Sequence, residues 1–480
     1  MGAPPLPSGG TTGVLDYQLE DDGFYDEAFE ASGTPRAAYR RLMGALGELD
    51  LGELATSVSA EVERLEVSFG SGASEEPFHL DPVPRVMDAA EWELLEGGLA
   101  QRVRALSAFT ADVYGRRAIV AAGVVPERAI ETSVYFEPWM IGVEVPAWHY
   151  TAVAGMDLVR GADGLLAVLE DNLRTPSGLA YASAARTVVD RVLPFPPPAE
   201  RRSLSPVYDK LGEALRAAAP KGDGDPYVVL LSDGPGNSAW YEHLVMARRL
   251  GIPLVTHDEL YPSRGRLRAQ VDGRSRDVDV VYRRTDEDRL HDGQGRPTWL
   301  AEVLLGPCRT GRLACLNAFG SGVADDKLVH GYVEAMVRFY LHEEPLIRSV
   351  PTYDLSLPAV RDSILARMDE IVLKPRAGHG GHGIVVGPHA NAEDLKLAAA
   401  QVEQEPGNWV AQETVMLSRH PTVEGGVLVP RHVDLRAFAV CCGEHVEVAA
   451  GGLTRFGRSA GALVVNSSQN GGGKDTWVLS

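Results

Sequence analysis

Cysteine is scarce in this chain: Cys308, Cys315, Cys441 and Cys442 are the only four among 480 residues. They form no C-x-x-C pair and no metal-ligand spacing, which excludes a disulfide scaffold and a zinc ribbon and suits reduced thiols in a cytoplasm. Basic residues are in deficit, 46 Lys and Arg against 66 Asp and Glu, for a net charge of −20. A nucleic-acid binder normally carries a basic face, so no nucleic-acid partner is expected. No apolar run approaches the roughly 18 residues of a membrane-spanning helix. The opening Met1-Gly-Ala-Pro-Pro-Leu6 has neither a cationic start nor an apolar stretch, and Leu6 stands where a myristoylation signal needs Ser or Thr. The expectation is a cytoplasmic protein with no membrane partner. Also missing is the G-x-x-x-x-G-K-[ST] phosphate loop, and no G-x-S-x-G elbow of a serine hydrolase surrounds Ser238.

What is present begins with an acid–amide pattern. Asp157-Leu-Val-Arg-Gly-Ala-Asp-Gly-Leu-Leu-Ala-Val-Leu-Glu-Asp-Asn172 reads as two strands around a turn at Gly161 to Gly164. With four residues in the turn, Arg160 faces Leu165 and Asp157 faces Val168. Side chains alternate faces with period two, which places Asp157, Glu170 and Asn172 on one side. Two carboxylates and an amide oxygen are hard ligands of the kind that hold Mg²⁺ together with nucleotide phosphates. An edge hairpin whose polar face simply meets water fits the same pattern.

Far downstream, Ile371-Val-Leu-Lys374-Pro-Arg-Ala-Gly378-His-Gly380-Gly381-His-Gly383-Ile-Val-Val reads as a strand ending on a lysine, a glycine loop and a returning strand. The loop matches G-x-G-x-x-G, but a dinucleotide fingerprint needs a helix after the glycines, and Ile384-Val-Val-Gly-Pro reads as a strand ended by a breaker. A glycine flap can still lay its N–H groups over phosphates, because no Cβ blocks close approach. A plain surface hairpin is the alternative. His379 and His382 form an i,i+3 pair without further ligands, which suits hydrogen bonds to phosphate or solvent better than zinc.

The strings Asp81-Pro-Val-Pro-Arg85, Gln101-Arg102, Glu170-Asp-Asn-Leu-Arg-Thr-Pro-Ser-Gly178, Asn317-Ala-Phe-Gly-Ser-Gly-Val-Ala-Asp-Asp-Lys327, Arg431-His-Val-Asp-Leu-Arg436 and Gly451-Gly-Leu-Thr-Arg455 occur in one order. In these the chain resembles the circularly permuted ATP-grasp proteins, type 2 branch, which are related to the synthetase domain of glutathionylspermidine synthetase. The acid–amide hairpin precedes the lysine–glycine strand, inverting the usual order, and termini can be relocated this way without altering a packed core. The resemblance implies an α/β fold with α+β elements: a circularly permuted ATP-grasp with a small parallel-sheet pre-ATP-grasp domain and a helix-rich N-terminal region. It implies ATP and Mg²⁺ as cofactors and a ligase joining small-molecule or peptide carboxylate and amine substrates. A phosphotransferase on a small molecule, or a nucleotide-binding regulatory protein, would use the same nucleotide site. The resemblance does not extend to the Cys/His amidase domain of glutathionylspermidine synthetase, so glutathione and spermidine are not carried over as substrates.

By the same resemblance Asp157, Glu170 and Asn172 are metal ligands. Lys327, Lys374, Gly378, Gly380, Gly381, His382, Gly383 and Gln412 hold the nucleotide, Gln412 near adenine. Arg174, Arg436 and Arg455 are the catalytic cations, able to clamp phosphate or carboxylate bidentately, with structural ion pairs as their alternative. The expected organisation is a disordered 1–20, a helix-rich 21–145, the metal hairpin in 146–200, an α/β unit in 201–320 and the nucleotide lobe in 321–480. Within 201–320, Tyr227-Val-Val-Leu-Leu-Ser, a helix after Asn237-Ser238 and Ile252-Pro-Leu-Val-Thr read as a βαβ unit with Asn237 or Ser238 as helix cap. Tyr282, Arg283 and Arg284 either help bind the acyl substrate or are an ordinary strand. The Gly/Ser-rich tail with Asn466 and Lys474 reads as a loop over the site or a frayed terminus.

Overall fold

The computed structural model describes residues 17–19, 22–70, 72, 75–220, 224–378, 383–457 and 471–480. Most of the expected disordered N-terminus, the flap residues His379, Gly380, Gly381 and His382, and Asn466 lie outside them. Two long helices carry the N-terminal part. Leu51–Arg64 starts where the Asp50 carboxylate accepts from the N–H groups of Gly52 and Glu53, and Ala89–Val113 where Asp88 accepts from Glu91. Both are side-chain N-caps that satisfy otherwise orphaned amides. Leu95, Leu99, Val103, Leu106 and Phe109 recur at helical spacing on the second helix and are all buried, the stripe of an amphipathic helix facing a core.

Among the described residues the central sheet has seven strands. The hairpin of Val153–Arg160 and Leu166–Asn172 lies beside Val427–Cys442, followed by His445–Phe456 and Gly472–Lys474. Strands from the first half of the chain and from its end thus form one sheet. A second, four-stranded antiparallel sheet orders Thr352–Asp354, Trp409–Glu413, Ile371–Pro375 and Val385–Val386. It rests on its own core, which includes Ile364, Ile371, Leu373, Ala398 and Val402. The expected βαβ unit is present as Val228–Ser232, Trp240–Leu250 and Leu254–Val255, and Val280–Arg284 and Ala314–Leu316 extend it into a parallel sheet of four strands.

The hairpin register corrects the sequence reading. Arg160 pairs with Leu166, not Leu165, and Asp157 pairs with Glu170, not Val168. Leu165 belongs to the turn, where its carbonyl accepts from Gly161 N–H. Between Asp157 and Leu158 the register shifts by a β-bulge, in which one extra residue opposes the partner strand. That extra residue is Leu169, and its carbonyl accepts from the Gln412 amide at 3.0 Å. Lys474 requires a second correction. It lies in a strand rather than in a loop over the site, with no exposed surface, ion-paired to Asp81 and donating to Pro421 O at 3.1 Å. A buried ammonium needs a carboxylate, and the Asp81 to Arg85 segment supplies it.

A second buried ionic cluster ties the N-terminal region to the hairpin. Glu27 receives the Arg85 guanidinium through two bonds of 2.6 Å, Arg160 Nε at 3.1 Å and the Ser418 hydroxyl at 2.5 Å. Although burial works against its charge, the two guanidiniums hold its carboxyl well below the usual range. Glu27→Ala leaves Arg85 buried without a carboxylate and should cost about 3–5 kcal/mol, read as a lower urea midpoint at unchanged slope.

Candidate active site

Strand pairing assembles one side of the site. Glu170, Asp157 and Arg436 are successive cross-strand neighbours on three adjacent strands, and one step along Asp434 pairs with Arg455. Because alternate residues share a face, all five project into the same cleft of about 560 Å³, joined by Asn172. Arg436 grips Asp157 with its fork, Nε to Oδ1 at 2.6 Å and Nη2 to Oδ2 at 2.7 Å. Arg455 Nη2 reaches the same Oδ2 at 3.0 Å while its own fork is held by Asp434 at 2.8 and 2.5 Å. Burial alone would raise the Asp157 carboxyl, but the two guanidiniums hold it far below its ordinary value. Burial outweighs Arg455 at Asp434 and pushes that carboxyl up.

The four-stranded sheet supplies the opposite wall. Lys374 is buried, and its Nζ donates to Gln412 Oε1 at 2.5 Å. Gln412 in turn donates to Leu169 O and to Thr352 Oγ1 at 3.1 Å. Its backbone is flanked by Thr352 on one side and Val372 on the other, so its side chain positions the lysine within this wall. Burial pushes the Lys374 ammonium down to about 8, Glu170 and Asp157 oppose that fall, and Lys327 adds to it. Lys327 opens a short helix capped by Asp326 and donates to Gly378 O at 3.0 Å. The start of the flap is therefore held by the expected lysine and by Tyr135, whose hydroxyl accepts from Gly378 N–H at 3.3 Å. Gly383 closes the flap at a φ of +73° that favours glycine, and a Cβ there would meet Pro375.

Arg174 is oriented by two carboxylates, Asp325 from one of the quoted strings and Asp288 from outside them. It reaches Asp288 and Asp325 at 3.3 Å each and lies 4.1 Å from the centre of the Tyr135 ring. Asp325 also accepts from Leu173 N–H at 2.7 Å, fixing the end of the acid–amide strand. Asp286, Asp288, Asp325 and Asp434 all line the cleft. The run Thr285-Asp-Glu-Asp288 directly after a strand was the signal available for the first two. Asp434 lies within the string Arg431-His-Val-Asp-Leu-Arg436, but its role depends on a neighbouring strand. Arg284 is buried and organises the loop after Arg174, donating to Pro176 O at 2.8 Å, Ser177 Oγ at 2.6 Å and Glu242 at 2.9 Å. Glu242 then caps the helix Leu179–Val192 through Gly178 and Ala180 N–H. The expected cap by Asn237 takes the form of a turn, its Oδ1 accepting from Ala239 N–H at 2.9 Å just before the helix.

The donor set can be tested against a divalent cation. Among the described residues no group of three His, Cys, Asp and Glu gathers as a metal cluster. The candidate set is instead two carboxylates and an amide. No described residue hydrogen-bonds the Glu170 carboxylate, and the Asn172 side-chain nitrogen is buried without a partner. Half-buried and without a hydrogen-bond partner among the described residues, the Glu170 carboxylate beside a lysine is a hard oxygen donor that fits Mg²⁺ with phosphate better than it fits a soft metal.

A mixed α/β architecture with a cleft between a mixed seven-stranded sheet and a four-stranded antiparallel one, acids on the first and a buried lysine on the second, defines an ATP-grasp protein. The chain belongs to the circularly permuted ATP-grasp type 2 family, whose profile matches residues 84–457. It is 40% identical to an uncharacterized protein of Mycobacterium tuberculosis over 462 residues, 95% of this chain and 84% of that one. It is 42% identical over 475 residues to a Frankia alni protein named "Putative glutamate--cysteine ligase 2-3", covering 95% of this chain but only 54% of the relative. The chain thus spans about half the length of that relative. Among solved structures, a glutathione synthetase-like effector of Globodera pallida in apo form superposes with a TM-score of 0.58 at 11% identity, covering 89% of this chain and 96% of that one. At that identity the likeness is one of fold. No described helix is long and apolar enough to cross a membrane.

The buried lysine yields a stability test independent of any ligand. Its folded value near 8 lies below the ordinary lysine value, so the unfolded chain binds more protons between them and stability rises with pH across that window. Lys374→Met removes the buried charge and should stabilise the nucleotide-free protein at pH 7 by up to about 3 kcal/mol. The gain should shrink as the pH climbs from 8 towards about 10. Urea unfolding at pH 7 and 9.5 measures both.

Proposed function

We propose that this protein is an ATP-dependent carboxylate–amine ligase that passes through an acyl phosphate and releases ADP and phosphate. The observation that carries the proposal is the opposition of Lys374, on one sheet, to the unpaired Glu170 and the Asp157 row on the other, across a single cleft. A substrate carboxylate oxygen attacks the γ-phosphorus, the bond to the β-phosphate oxygen breaks, and ADP leaves. An amine then attacks the acyl carbon, phosphate departs, and the amine's proton passes to solvent. Neither step needs a covalent protein nucleophile; alignment and charge neutralisation suffice.

In this reading Lys374 and Lys327 meet the phosphates, with Gly378 at the cleft beside them. Asp157, Glu170 and Asn172 would hold Mg²⁺, which shields the β- and γ-phosphate charge when bound. Arg436 and Arg455 face the transferring phosphate or the acyl carboxylate, and Arg174, steadied by Asp288 and Asp325, lies beside them. Cations gathered at the far end of a triphosphate favour ADP as leaving group, whereas an adenylating enzyme concentrates them at the α-phosphate. The name of the Frankia relative makes glutamate and cysteine reasonable first substrates, although this chain matches about half of that protein.

Incubation with Mg·ATP and pooled amino acids, peptides and polyamines, followed by mass spectrometry, tests the proposal. The expected product joins two added compounds with loss of water, together with equal ADP and phosphate. A singly phosphorylated compound would instead identify a phosphotransferase, and AMP with pyrophosphate would exclude the acyl-phosphate route. Glu170→Gln should lower kcat by at least about a hundredfold while leaving most of the nucleotide affinity, because the variant loses charge only where the phosphate charge must be neutralised. Wild-type turnover in that variant would remove Glu170 from the metal set.

A further inference from the structure

Both oxygens of Asp157 are already occupied by guanidinium. Oδ1 accepts from Arg436 Nε, and Oδ2 accepts from Arg436 Nη2 and from Arg455 Nη2. A cation ligated by Asp157 would therefore stand against two guanidiniums at contact distance, where like charges repel strongly. The two arginines are not held alike. Arg455 has a carboxylate of its own, Asp434, on the paired strand, and its side chain is 7% exposed. Among the described residues Arg436 has no second carboxylate. Apart from Asp157 it makes one bond of 3.3 Å, to Ser177 O, and its side chain is 18% exposed and borders the cleft. Glu170, the cross-strand neighbour of Asp157, waits beside them without a hydrogen-bond partner among the described residues.

We infer that Arg436 and the divalent cation compete for the Asp157 carboxylate, so that metal loading releases Arg436 into the cleft while Arg455 stays anchored on Asp434. In the empty protein Arg436 acts as the counter-ion of Asp157. Once the metal takes that place, Arg436 is a fork-shaped cation held only through Ser177 O, free to grip the acyl carboxylate or the transferring phosphate. Metal arrival and the substrate grip are then coupled through one carboxylate, and the site offers a free guanidinium only when the metal that neutralises the phosphates is present. This inference rests on the reading of Asp157 as a metal ligand.

The test titrates Mn²⁺ alone into the nucleotide-free protein and follows free metal by electron paramagnetic resonance. Arg436→Gln should bind Mn²⁺ more tightly than wild type, by roughly fivefold or more, although it loses turnover. Arg436→Lys keeps the charge but loses the two-pronged fit, so it should also tighten binding, by less. Circular dichroism and urea midpoints establish that both variants are folded. Adding Asp157→Asn to Arg436→Gln should abolish the gain. Equal Mn²⁺ affinity in wild type and Arg436→Lys, with tightening confined to Arg436→Gln, would reflect removal of a charge and overturn the competition. So would affinity no higher than wild type in both variants. If Asp157→Asn alone leaves Mn²⁺ binding unchanged, Asp157 is not a ligand, and the metal reading fails together with the inference.

Discussion

The arrangement of this site is set by the cost of burying Asp157. A carboxylate taken out of water must find opposite charge within contact distance, and here that charge comes from the two C-terminal strands beside it. Arg436 stands directly across from Asp157, and Arg455 reaches the same carboxylate from the next strand while leaning on Asp434. Asp157 meets Arg436 and Asp434 meets Arg455 across paired strands, a matching that a shifted register would break. A slip by one residue turns every side chain to the opposite face and would leave Asp157 buried without a partner. The ionic row therefore pins the pairing of the hairpin with the C-terminal strands, which is where the permuted halves of the chain meet.

The tripeptide Glu170-Asp171-Asn172 does two jobs because successive strand residues point to opposite faces. Glu170 and Asn172 look into the cleft. Asp171 looks backwards, where the Arg102 fork grips it at 2.6 and 2.7 Å and His330 adds a bond at 2.9 Å. Arg102 belongs to the long helix Ala89–Val113, and His330 to the short helix that Lys327 opens. One strand position thus locks the cleft strand to the scaffold behind it and to the element carrying a phosphate-facing lysine. Asn317 adds a neutral tie, its amide bridging Val153 and Leu173 at the two ends of the hairpin.

Much of this was legible from period and residue type. Asp157, Glu170 and Asn172 share a face as expected, because a turn one residue longer than read and the bulge at Leu169 offset each other, Lys374 lies one residue from the end of its strand, and the βαβ unit follows from its apolar runs and glycine breaks. What escaped depends on contacts distant in sequence. The bulge at Leu169 cannot be counted from the turn, because it is stabilised by the Gln412 amide from another sheet. Asp434 is one more polar residue in a strand until Arg455 folds back beside it. Lys474 reads as part of a glycine-rich tail, since nothing near it in sequence reveals that Asp81 will neutralise it.

The balance of charge across the cleft explains why such a site is built from two sheets rather than one. The seven-stranded sheet face brings Glu170, Asp157 and Asp434 together with Arg436 and Arg455, three negative charges against two positive. The facing wall brings Lys374, whose ammonium burial pushes down to about 8. On a single sheet these groups would pair off and leave nothing for a ligand. Set on opposite walls, Glu170 and Lys374 influence each other across the gap without forming an ion pair, and each keeps bonding capacity in reserve. A polyphosphate carrying a divalent cation offers a cation to the acid wall and anionic oxygens to the lysine wall, and so completes both at once.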